Sequence, residues 1–183
     1  MKKIFCFLVA FCLLTGCGCE NGKLLNTPTK KVEMFLANYQ TLDADVLEQL
    51  DDVIDREDTF NDTQKDTYRD IMKKHYENLT YEIKDEKIDG DTATVTAEIE
   101  VTDYSKIMKD ADQYKKDHEE EFYNEDKEYD DSLFIDYRLK QLKEAKDKVK
   151  YTIDFTLTKI EDEWKLDTLT QEQENKIHGL YQY

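Results

Sequence analysis

The chain has 183 residues, with 43 acidic side chains against 26 basic ones and a formal net charge of −17. That balance excludes nucleic acid as a partner, because two polyanions repel each other, and it favours cations or basic protein surfaces. Twelve tyrosines and eight phenylalanines supply enough large apolar surface for a buried core, which excludes a disordered chain despite 38% charged residues.

Met1-Lys2-Lys3 precede eleven uncharged residues, Ile4 to Leu14. As a helix that run rises about 16 Å, half of a ~30 Å hydrocarbon core, so it is too short to span a bilayer. A basic start, an apolar run and small residues form a cleaved secretory signal. The tetrapeptide Leu14-Thr15-Gly16-Cys17 closes it, an aliphatic residue, two small ones and cysteine. It resembles the lipobox of bacterial lipoproteins. The resemblance implies diacylglyceryl transfer to the Cys17 thiol, cleavage after Gly16, and attachment to the outer face of the cytoplasmic membrane through an N-terminal lipid anchor. Residues 1–16 are then the signal peptide and 17–26 a lipid-anchored tether. Cys6 and Cys12 leave with the signal, Cys19 lies beside the anchor, and the body has no cysteine. Neither a disulfide framework nor a thiolate metal site is expected. Such a body behind this signal suits a Gram-positive bacterium.

Thr27-Pro28 opens the first helix as cap and first-turn proline. Val32, Phe35, Leu36 and Tyr39 follow at the spacing of a core-facing stripe. A break near Thr41–Asp43 leads to a second helix carrying Val46, Leu47, Leu50, Val53 and Ile54. Asn61, Asp62 and Thr63 cap a third, with stripe Tyr68, Ile71, Met72, His75 and Tyr76. The period then changes from 3.6 to 2. Tyr81, Ile83 and Ile88 mark one strand, Asp89-Gly90 a tight turn, and Ala93, Val95, Ala97, Ile99 and Val101 the buried face of the next. With Thr94, Thr96, Glu98 and Glu100 on its wet face, this strand belongs to an antiparallel sheet.

Residues 104–148 interrupt the sheet. Ile107, Ala111, Tyr114, His118 and Phe122 space as one helix, and Phe134, Tyr137, Gln141, Ala145 and Val149 as a second. Between them Asp117–Asp131 holds nine acids and one lysine in fifteen residues, while the returning helix bears Arg138, Lys140, Lys143, Lys146 and Lys148. A helical hairpin with an acidic tip is expected; the tip is a solvated charge run or a weak collector of divalent cations. Tyr151, Ile153, Phe155 and Leu157 resume strand character, Glu161-Asp162-Glu163 turn the chain, and Trp164 and Leu166 return. Thr170 to Gln173 has capping-box form and starts a short helix ended by Gly179. The expected fold class is therefore α+β: N-terminal helices packed on a curved antiparallel sheet of about four strands, with a charged helical insertion between two hairpins. Residues 27–183 form one domain in this reading.

The segment Pro28 to Leu36, the Leu-Asp-Ala-Asp break after it, and the closing Glu163-Trp164-Lys165-Leu166-Asp167 resemble small lipoproteins with a cystatin-like cone, kin to the nuclear-transport-factor-like superfamily. The insertion departs from that pattern. The resemblance implies a conical pocket between sheet and helices, and most such lipoproteins have no assigned biochemical role. Tyr39, Tyr68, Tyr76, Tyr81 and Tyr151 fall on positions facing the core or cone, either filling it or lining a pocket for a small ligand through ring faces and hydroxyls. His75 joins them as a core histidine or as half of a carboxylate–histidine pair. His118 reads as a solvated residue and His178 as near a fraying terminus. No zinc, calcium, phosphate-loop or nucleophile-elbow motif is present in the sequence, and no cofactor is expected. The function expected is a membrane-anchored, non-enzymatic binding or accessory module for a small ligand or an envelope protein. A lipid-tethered enzyme using His75 and a scaffolding role are the alternatives.

Overall fold

A computed structural model describes residues 26–182; the expected signal, Cys17 and most of the tether lie outside the described residues. Three helices come first: α1 (Pro28–Gln40), α2 (Ala44–Asp55) and α3 (Asp62–Glu77). Strands β1 (Thr80–Asp89) and β2 (Thr92–Thr102) follow, then α4 (Tyr104–Asp117), a 3-10 turn (Glu119–Phe122) and α5 (Asp131–Glu144). Strands β3 (Lys148–Ile160) and β4 (Glu163–Leu166) and helix α6 (Gln171–Ile177) end the chain. The strands lie in the order β1-β2-β3-β4, every pair antiparallel. The fold is α+β, with the helical insertion between β2 and β3.

Period-2 patterning sets the sheet. Ala93, Val95, Ala97, Ile99 and Val101 of β2 pair with Leu157, Phe155, Ile153, Tyr151 and Val149 of β3, and this double row is almost wholly buried. Slipping one residue would expose it. Each large side chain so exposed costs about 1.5–3 kcal/mol, whereas a wet-face ion pair such as Lys150–Glu98 at 3.0 Å is worth only ~0–1 kcal/mol. The apolar row therefore decides the register. Helix α1 buries Val32, Leu36 and Tyr39, and Phe35 meets Phe155 edge-on at 5.9 Å, so the space between α1 and the sheet is filled.

In β1 the register shifts between Ile83 and Asp85. This bulge explains how Tyr81, Ile83 and Ile88, whose numbers differ in parity, belong to one face: beyond it Glu86 and Ile88 stand opposite Val95 and Ala93. Glu86 points toward the helices because its carboxylate accepts from the Thr29 amide (2.9 Å) and hydroxyl (2.7 Å) in the first turn of α1. At the other margin β4 is short, and the C-terminal segment covers the rest of the β3 edge. The Asp167 amide, the Gln173 side-chain amide and the Lys176 ammonium donate to the carbonyls of Thr156, Asp154 and Thr152.

Three local expectations change. Helix α4 stops at Asp117 rather than running to Phe122, because the His118 ring folds back onto Tyr114 (centroids 4.1 Å) and Nδ1–H donates to the Tyr114 carbonyl at 3.2 Å. Phe122 instead joins Ala111 and Phe134 in a small separate core, so the acidic tip is anchored from beneath. Helix α5 stops at Glu144, with Leu139 and Leu142 as its last buried residues, and Val149 belongs to β3 opposite Val101. The first hairpin turns on Gly90-Asp91 with positive φ only at Gly90, a type II′ pattern rather than one centred on Asp89-Gly90.

Candidate functional site

Helix α3 is tied down at both ends. At its start the Asn61 side chain accepts from the Gln64 amide, and Gln64 Oε1 accepts from the Asn61 amide, both at 3.0 Å. Gln64 is 2% exposed, and its Nε2 also donates to Ser132 (carbonyl 3.1 Å, hydroxyl 2.9 Å) and to Asp136 (2.8 Å), joining α3 to α5. At the other end His75 Nε2–H donates to the Ile177 carbonyl at 2.9 Å, and the Tyr76 hydroxyl shares a 3.0 Å hydrogen bond with His178 Nδ1. The chain reaches these partners through a Schellman ending of α6: Leu180 N–H bonds to Asn175 O and Gly179 N–H to Lys176 O. Gly179 has φ +68°, and a Cβ there would overlap the Thr102 carbonyl oxygen. Its own carbonyl accepts from the Ser105 amide at 2.8 Å.

Along the flanks of this fixed helix lie three cavities. One of about 490 Å³, between α2, α3 and α6, is lined by Tyr39, Tyr68, Tyr76 and His178 with Arg56 and Glu174. A second of about 370 Å³ is mainly apolar, walled by Phe60, Tyr68, Met72, Tyr104, Phe134 and Leu142. The third, about 450 Å³, opens between α3, the end of α5 and the adjoining ends of β2 and β3. Its wall carries His75, Tyr104, Lys74, Lys143, Lys146 and Lys148 beside Asp66 and Asp70. Neighbouring cavities share walls: Tyr68 and Met72 separate the first two, Tyr104 and Leu142 the last two.

Burial sets the protonation states. The His75 ring is pushed down to about 4, chiefly by burial and against the pull of its bond to Ile177. It is therefore neutral, and with Nε2 donating, the buried Nδ1 is an acceptor that meets no donor among the described residues. His178 is held at about 4 by burial. Tyr39 is raised to about 12 by burial and by Glu174, and Tyr104 to about 12 by burial; Tyr68 and Tyr76 are raised for the same first reason. All four phenols keep their protons. The hydroxyls of Tyr39, Tyr68 and Tyr104 make no hydrogen bond among the described residues, whereas those of Tyr76, Tyr81 and Tyr151 are engaged by His178, the Glu33 carbonyl and the Tyr181 carbonyl.

No protein-family model, curated protein or solved structure matches this chain. The site is therefore defined by its own geometry. Of the six side chains expected to meet a ligand, Tyr39, Tyr68, His75 and Tyr76 line the cavities beside α3, and Tyr81 and Tyr151 line none of the three. The reason is the filled interface between α1 and the sheet: the open space lies among the helices instead. His75 pairs with a carbonyl rather than a carboxylate, and His178, far from fraying, is locked to Tyr76. Among the described residues no group of three or more His, Cys, Asp or Glu side chains is placed to hold a metal ion, and no helix is long and apolar enough to cross a membrane. Tyr104 and the lysines at 143–148 were not singled out by sequence as site residues. Tyr104 stacks on His75 at 4.8 Å, a placement that depends on β2 ending beside α3 and leaves no mark in local spacing.

Proposed function

We propose that this protein is a membrane-anchored, non-enzymatic binding protein of the outer face of the cytoplasmic membrane, held by lipid on Cys17 and taking a small ligand into the cleft along α3. The observation that carries the reading is the set of three cavity-lining tyrosines, Tyr39, Tyr68 and Tyr104, whose hydroxyls have no partner among the described residues. These hydroxyls are open to the cavities rather than sealed in the core, so they are donors available to a ligand's acceptors. The cavities fall within or above the lower end of the usual range for small-ligand sites, roughly 300–1,000 Å³. The lipobox supplies the address. Both cleft histidines are committed to structural bonds, which favours binding over acid–base chemistry.

Native mass spectrometry of the full-length protein, extracted from its own envelope in a non-ionic detergent, tests both halves. The expected spectrum shows a chain beginning at Cys17 with a diacylglyceryl mass, carrying an additional small molecule. That molecule should be lost from a Tyr39→Phe/Tyr68→Phe/Tyr104→Phe variant whose melting temperature is unchanged, since the missing hydroxyls have no partner among the described residues. A chain without lipid would overturn the anchor. A bare protein mass, together with no thermal response to a library of sugars, peptides and lipid fragments, would overturn the binding role.

A further inference from the structure

Acids outnumber bases by 43 to 26 in this chain, yet the wall of the third cavity reverses that ratio. Lys74 reaches it from the last turn of α3, Lys143 from the last turn of α5, Lys146 from the following link and Lys148 from the first residue of β3. None of the four forms an ion pair among the described residues, and the cavity brings them to one wall. Two carboxylates share the wall. Asp66 shares Arg69 with Asp51 (2.9 and 2.7 Å), and with Asp70 it faces four ammonium groups across the wall.

The inner wall is built rather than merely charged. Thr102 and Tyr104 are 8% and 5% exposed. The Lys148 ammonium donates to Thr102 Oγ1 at 3.3 Å, which holds one cation against the sheet end of the cavity. Tyr104 contributes its ring, fixed by stacking on His75 at 4.8 Å. Ammonium groups are donors only. A group that only accepts, and carries negative charge, complements them; ammonium groups bind carboxylate and phosphate as point charges.

We propose that this cavity binds a small oxyanion, the carboxylate or phosphate group of the ligand, between Lys74, Lys143, Lys146 and Lys148, with Lys148 held at the inner wall by Thr102. The inference rests on reading the α3 cleft as a ligand site and names the chemistry of one end of that ligand. The same oxyanion occurs on free metabolites and on lipid headgroups.

Thermal-shift titrations of the full-length protein in non-ionic detergent, at fixed ionic strength, with inorganic phosphate, citrate and glycerol phosphate as probes, test it. The wild type should show a saturable rise in melting temperature with at least one probe. A preference for glycerol phosphate indicates a headgroup source, and a preference for phosphate or citrate a free anion. The variant Lys143→Gln/Lys146→Gln/Lys148→Gln should melt normally alone and lose affinity by about tenfold or more. A control, Lys30→Gln/Lys87→Gln/Lys159→Gln, should keep it. No saturable rise with any probe, or equal loss in both variants, would overturn the proposal. A ligand seen in the native mass spectrum beside flat oxyanion titrations would remove the oxyanion and keep the cleft; absence of both would remove both.

Discussion

Acidification should weaken the fold through His75, and the size of the effect follows from its surroundings. The ring is 2% exposed, stacked on Tyr104, beside Tyr76, and within the fields of His178 and Lys148. Burial first, working against the bond to the Ile177 carbonyl and helped by His178 and Lys148, brings it from 6.5 to about 4. The unfolded chain takes up a proton as pH falls through about 6.5, while the folded chain does not until about 4. His75 therefore contributes stability in full above about pH 6.5, and loses it progressively as pH falls toward the folded value. The loss is about 1.4 kcal/mol per pH unit, about 2.5 kcal/mol by pH 4.5. That is a large share of a folding free energy of about 5–15 kcal/mol.

The acidic surface complicates a bare pH scan, because protonating carboxylates relieves self-repulsion at the same time. Comparison with His75→Gln cancels that background. Glutamine can donate to the Ile177 carbonyl and takes up no proton. Urea unfolding of both proteins at pH 7.5, 6.5, 5.5 and 4.5 reads the difference, which should be flat above pH 6.5 and move against the wild type by about 2.5 kcal/mol at pH 4.5. Curves that stay parallel within about 0.5 kcal/mol would refute the reasoning, since the folded ring would then be titrating as it does in water.

Gly179→Ala should destabilise by more than the about 1–3 kcal/mol of a strained backbone position, because its Cβ would also overlap the Thr102 carbonyl; Gly90→Ala, at φ +59° in open space, should show the conformational part alone. Equal urea midpoints for the two variants would contradict the close approach at Gly179. In the second hairpin Glu161 and Asp162 both have positive φ (50° and 65°), so Glu161→Asn/Asp162→Gly should stabilise by about 1 kcal/mol, after the exposed Lys159–Asp162 pair is given up. A lower melting temperature for that variant would show that the side chains matter more than the backbone there.

Much of the fold was legible because its signals are local. The stripe from Tyr68 to Tyr76, the β2 alternation and the Thr170–Gln173 capping box each involve residues within one element, and each appears where its spacing places it. The errors lie where a distant partner overrides a period. Val149 fits the spacing of the α5 stripe but is captured by Val101 across the sheet. Phe122 fits the α4 stripe but is drawn to Phe134 at 5.2 Å. The β1 bulge is visible only as a parity conflict between Ile83 and Ile88, which the register on β2 resolves.

The site was less legible, and the tyrosines show why. Sequence spacing tells that Tyr39, Tyr68, Tyr76, Tyr81 and Tyr151 face inward, but an inward phenol is core or site according to what its hydroxyl meets. Tyr151 reaches the Tyr181 carbonyl at 3.2 Å and Tyr76 reaches His178 at 3.0 Å, both partners supplied by the last seven residues of the chain. Tyr39, Tyr68 and Tyr104 reach none among the described residues. The same C-terminal segment thus does two things: it ties down α3 through Ile177 and His178, and it satisfies some phenols while leaving others facing open space. A helix held at both ends, with cavities along its middle, has its donors placed before a ligand arrives. Little ordering cost is then left for binding, which is the physical case for proposing the α3 cleft rather than the filled space under α1.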